Sequence, residues 1–285
     1  MNRDAAKGWR EVLWRDRWHL LVLLALLVGL YGRIVPAMVA DWLHDPNYSH
    51  GLLVPLMAGY FAWQRWPRLA LEPVRPDSIG LLLVLAALLL LVFGRAATEY
   101  FTMRVSLILL LAGILWFWYG RSLLRLLALP LGFLLLMVPL PYILYDAVAF
   151  PLKLLVARFS VLVLKLLGIA VLREGNLIQF PQLVLEVADA CSGLRSLMSL
   201  LALAVAYAFI SQTAPLKRLL IILAAVPIAI ITNMFRVVVT GVLAQRYGAA
   251  VAEGFFHEFA GLAVFVLALL LLFFLGALLR RWRLS

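Results

Sequence analysis

Cysteine is nearly absent: Cys191 is the only one in 285 residues. A lone thiol forms no intramolecular disulfide, which excludes a small disulfide-stapled framework. Charge is scarce too, at 14% of residues, where a soluble domain carries about 25%. Only four histidines occur, His19, His44, His50 and His257, scattered without ligand-pair spacing. With no second cysteine, a metal centre is not expected. The nearest approach to one is His44 and His50 with Asp45. No glycine-rich loop joins a strand to a helix in the way phosphate cradles require. No cofactor is therefore expected.

What the chain has in abundance is apolar length. Hydrophobic residues make up 66% of it, well above the roughly half of a soluble domain. Runs of about 20 apolar residues match the hydrocarbon thickness of a bilayer, whereas barrel strands alternate. The expected fold is an all-α integral membrane protein with membrane lipid around it. The net charge of +11 raises nucleic acid as a partner. No basic groove interleaved with aromatics supports that, and cations on cytoplasmic loops explain the charge.

The hydropathy pattern predicts eight spans, at about 19–37, 51–64, 79–93, 105–119, 126–142, 192–210, 219–240 and 257–279, in one polytopic domain. Between the fifth and sixth lies 143–191. Within it, 146–172 carries Lys153, Arg158 and Lys165. Three cations in one span are costly, so the expectation is an interfacial amphipathic helix. The stretch 177–187 alternates partly and is rich in β-favouring residues, which reads as a short hairpin or extended loop. With the N-terminus inside, segments 1–18, 64–78, 120–125, 211–218 and 280–285 carry 15 of the 25 Lys and Arg. That is the bias expected of cytoplasmic segments. It puts both termini in the cytoplasm and 143–191 outside.

In this layout three chemically potent residues share one depth. Cys191 stands at the outer start of the sixth span, Arg236 near the outer end of the seventh, and His257 at the outer start of the eighth. A free cysteine is often merely buried. Here it sits among Asp189, Ser192, Gly193 and Arg195 where a helix begins, a setting that favours thiolate. A histidine in reach holds or takes the thiol proton. An arginine steadies an oxyanion without a protonation step. Asn233 lies one turn before Arg236. Glu253, four residues before His257, or the adjacent Glu258 is placed to orient the imidazole. Arg195, one turn after Cys191, either lowers the thiol pKa, grips an anionic substrate group, or pairs with Asp189.

The run Ala190-Cys191-Ser192-Gly193-Leu194-Arg195-Ser196 resembles the cysteine motif of the exosortase/archaeosortase family. So do Asp45-Pro46-Asn47-Tyr48-Ser49-His50-Gly51, Arg173-Glu174-Gly175-Asn176, Pro227 through Asn233 to Arg236, and His257 through Gly261. The resemblance implies a thiol protease or transpeptidase of the bacterial inner membrane, with its site facing the periplasm. The implied partners are exported proteins with a C-terminal Pro-Glu-Pro-type (PEP-CTERM) signal, a transmembrane helix and a basic tail. Catalytic roles carry over to Cys191, Arg236 and His257, and the acid two residues before the cysteine is Asp189. For the carboxylate of such a signal, Arg195 and Arg173 are the candidate cations. The rival reading is a lipid-linked glycan or acyl transferase of exopolysaccharide assembly. A transporter is disfavoured because polarity gathers at the outer ends of spans rather than at mid-membrane.

Overall fold

The computed structural model describes residues 17–181, 184–187, 194–248 and 255–281. The chain forms two compact units, residues 1–141 and 142–285.

The first unit holds α1 (Arg17–Tyr31), α2 (Ile34–His44), α3 (Leu53–Gln64), α4 (Trp66–Leu69), α5 (Ile79–Ala96), α6 (Tyr100–Tyr119) and α7 (Arg121–Phe133). The 3₁₀ turns Ser49–Leu52 and Leu134–Met137 precede α3 and follow α7. Tyr31, Ile34, Ala87, Leu91, Met103 and Leu110 form a buried core from α1, α2, α5 and α6. Helix α6 starts cleanly because the Glu99 carboxylate accepts from the backbone N–H groups of Phe101 and Thr102. Burial raises the Glu99 pKa, but those bonds, the Thr102 side chain and the nearby Arg104 charge outweigh it and bring it below the usual value.

Helices α5 and α6 meet backbone to backbone. A Cβ on Gly80 would lie 2.3 Å from the Phe117 nitrogen, and one on Gly113 would lie 2.8 Å from the Val84 nitrogen. Small residues permit such approaches between membrane helices. Gly80→Ala should therefore cost about 1–3 kcal/mol, as overpacking does. Gly59→Ala, where a Cβ meets nothing within 4 Å, should instead stabilise by up to about 1 kcal/mol through helix propensity. Thermal unfolding of both variants in detergent checks the pair; equal melting temperatures would refute the close contact.

The second unit holds α8 (Tyr142–Leu166), strands β1 (Leu172–Glu174), β2 (Leu177–Gln179) and β3 (Val184–Glu186), then α9 (Leu194–Ser211), α10 (Pro215–Tyr247) and α11 (Phe255–Arg281). The strands form an antiparallel meander in the order β1-β2-β3. The hairpin expected near 177–187 is thus present, with an additional strand. Gly175 makes the first turn possible: its φ is +63°, the first central position of a II′ hairpin, which favours glycine. One face of the sheet is apolar. Ile178, Phe180 and Val187 pack with Val156, Ala157, Val161 and Leu164 of α8 and Val237 of α10. A second cluster joins α8, α9, α10 and α11 through Ala149, Leu200, Ala204, Ile221, Ala225 and Leu272.

The eight-span count does not hold. Among the described residues five helices are long and apolar enough to cross a membrane: α5, α6, α8, α10 and α11. Helices α1 and α2 add a sixth only as a pair bent by 60°. The apolar windows at 51–64 and 126–142 are not continuous helix. Helix α3 has 12 residues, a rise of about 18 Å against a hydrocarbon core of about 30 Å. Helix α7 has 13, contains Pro130 and passes into a 3₁₀ turn. Helix α9 falls just short in its apolar part, Arg195–Ser211. Residues 146–172, expected as an interfacial helix, lie mostly in α8, whose 25 residues are also long and apolar enough to cross a membrane. Its cations Arg158 and Lys165 are exposed and two turns apart, so they share one face, while Lys153 falls well off it.

Candidate functional site

The polar motif at 41–51 is a latch inside the first unit. The Trp42 indole Nε1 donates to the Met137 carbonyl at 2.8 Å, and the Tyr48 hydroxyl donates to Leu140 at 3.3 Å. His50 is buried and its Nε2 meets the Leu136 carbonyl at 3.1 Å. Burial lowers the His50 pKa, only partly offset by the carbonyls of Leu136 and Asn47, so the ring is neutral at neutral pH. Gly51 is required under Trp42, since a Cβ there would lie 2.4 Å from the indole. The Arg104 guanidinium pairs with Asp41 at 2.5 Å. His44 Nδ1 contacts the carbonyl of Ala40, one turn back in its own helix.

In the second unit Arg236 stands out. It is 8% exposed, on a 33-residue helix that is otherwise mostly apolar. The expected span end at 240 is superseded: α10 continues to Tyr247, about 16 Å beyond Arg236 at the helical rise. Arg236 is thus three turns inside its helix rather than near the end. Its guanidinium reaches α11, where a Cβ built on Gly261 would lie 3.4 Å from Nη2 and 3.5 Å from Cζ. Gly261 is one turn beyond His257, whose backbone lies in the first turn of α11. An intramembrane cation is expensive, and a glycine clears the space beside it. Asn233, one turn before Arg236, is 3% exposed.

The next residue after Arg236, Val237, packs in one cluster with Ile178 and Val187. The sheet therefore rests on α10 within one turn of the buried guanidinium. Arg195 is half-buried in the first turn of α9. Arg173 is exposed on β1 and donates to the Gly175 carbonyl at 3.1 Å. Cys191, Asp189, Ser192, Gly193 and Glu253 lie outside the described residues. Sequence reasoning quoted Gly261 within a motif but gave it no role. The signal was available: a glycine one turn after a histidine in an apolar helix marks a close approach.

Such an arrangement suits anion stabilisation. A guanidinium stays charged when buried and offers a rigid fork of donors. Held in a low-dielectric site it acts strongly on developing negative charge. No curated protein and no solved structure matches the chain. A family model described as transmembrane exosortase matches residues 42–274, reaching from Trp42 in the latch past Arg236 and Gly261. By that match over most of its length, the chain belongs to the transmembrane exosortase family.

Proposed function

We propose that this chain is a thiol peptidase or transpeptidase of the bacterial inner membrane, cleaving C-terminal Pro-Glu-Pro-type signals of exported proteins at the periplasmic face. The observation that carries the reading is the buried Arg236 guanidinium against α11, one turn from His257. Family membership supports it. Cys191, three residues before α9, is the nucleophile.

The steps balance without a cofactor. His257 takes the Cys191 proton, and the sulfur attacks the scissile carbonyl to form a C–S bond. Arg236 holds the oxyanion of the tetrahedral intermediate. The C–N bond breaks, and the proton passes from His257 to the leaving amine. The resulting thioester is opened by water in hydrolysis, or by an amine in transpeptidation. Asn233, Arg195 and Arg173 bind substrate, with Asp189, Glu253, Ser192 and Gly193 in support. A substrate anchored by one helix presents its scissile bond at membrane height, which supplies proximity.

Orientation rests on the Lys and Arg bias of the terminal segments and on the exported substrate. The charge argument for 143–191 takes 146–172 as interfacial, whereas α8 is also long and apolar enough to cross. The single cysteine makes a direct test possible. In spheroplasts co-expressing a tagged signal-bearing protein, a membrane-impermeant maleimide should label Cys191 and stop release of the trimmed product. Mass spectrometry of the new C-terminus identifies the bond. Labelling only after permeabilisation would put the site on the cytoplasmic side. Unchanged processing after full labelling would favour the lipid-linked transferase.

A further inference from the structure

The open edge of the small sheet has a hydrogen-bonding phase that the register fixes. Strand β1 meets β2 through the two-residue turn Gly175-Asn176, closing at Glu174↔Leu177. The closing pair of such a hairpin exchanges its backbone bonds, so Leu177 and Gln179 face β1. Ile178 then faces β3, where it pairs with Leu185. The Val187 N–H donates to the Asn176 carbonyl at 3.0 Å, which agrees with that phase. Leu185 and Val187 thus direct their backbone groups inward to β2. Val184 and Glu186 direct theirs outward, away from the sheet. Strand β3 is the outer strand on this side among the described residues.

This edge is well placed. It ends five residues before Cys191. Its sheet is packed on Val237, adjacent to Arg236. The side chains of Val184 and Glu186 are exposed, on the sheet face opposite the one packed on α8 and α10.

We infer that an extended Pro-x-Pro segment of the substrate adds to the outer edge of β3 as a fourth strand. The inference rests on the peptidase reading and deepens it. Unpaired strand edges recruit extended peptides through main-chain bonds. Proline has no N–H, and in a sheet it is tolerated on an edge with that side turned to solvent. In Pro-Glu-Pro the central residue alone carries an N–H. When Glu faces β3, both prolines face away, so no ladder bond is lost. The outward prolines also block a further strand on the far side, which keeps the complex from propagating. Like charges directly opposite repel, so the signal Glu pairs with Val184 rather than with Glu186.

The test is binding to full-length Cys191→Ala in detergent, with a fluorescent synthetic peptide spanning the signal. N-methylation of the Glu amide removes its N–H and keeps its side chain. It should weaken binding about tenfold, the order of one hydrogen bond left unmade. Val184→Pro removes an outward donor and should weaken binding similarly, while Val184→Ala keeps the donor and should bind normally. Wild-type maleimide labelling of Cys191 in each variant's Cys-containing counterpart verifies an intact fold. Equal affinity for the N-methylated peptide, or equal affinity of Val184→Pro and Val184→Ala, overturns strand addition. Absent binding with normal cleavage by the wild type overturns strand addition alone. Absent binding and absent cleavage overturn the peptidase reading as well.

Discussion

Cys191→Ala should leave the chain folded in the membrane and the proposed signal-bearing substrate uncut. If Cys191 is the nucleophile the effect should be near total, because removing one costs about 10⁶ in kcat. Cys191→Ser should be almost as impaired, since a hydroxyl is a far weaker acid than a thiol and lacks the thiolate fraction that attacks. No other cysteine in the chain can substitute. The melting temperature in detergent should match the wild type, which separates lost chemistry from lost fold. Normal processing by Cys191→Ala would end the thiol mechanism.

The long uninterrupted apolar runs were legible in the sequence. Windows at 79–93 and 105–119 correspond to α5 and α6, the latter beginning five residues early at its Glu99 cap. Hydropathy failed where apolar content and helix continuity part company. Arg65 donates back to Phe61 at the end of α3, and Pro67 follows in α4. The 126–142 window contains Pro130, Pro139 and Pro141, and proline removes the donor a helix interior needs. In 146–172 length and apolar content allow a crossing, while three cations weigh against one, so the two sequence signals oppose each other there. The additional strand, β1, was illegible because the three residues Leu172–Glu174 carry too little pattern. For the site, the common depth of Cys191, Arg236 and His257 was argued from a span layout that the helices do not follow. The approach of Arg236 to Gly261 is an independent ground for placing it near His257.

That approach makes the second large effect specific. If Arg236 holds the oxyanion, Arg236→Ala should cut kcat by about 10²–10³, the order for losing one such donor, with KM little changed. Arg236→Lys keeps the charge but loses the planar fork, so it should remain severely impaired. An arginine that merely reaches for the interface would tolerate lysine, so wild-type rates in Arg236→Lys would demote it to an anchor. Gly261 grades the same test from the opposite helix. An added Cβ lies 3.4 Å from Nη2, ordinary contact, so Gly261→Ala should keep most activity and gain up to about 1 kcal/mol in helix propensity. Gly261→Leu must push the guanidinium aside. It should approach Arg236→Ala in kcat while the protein still melts cooperatively. Full activity in Gly261→Leu would mean that the guanidinium position seen here is not the one chemistry uses.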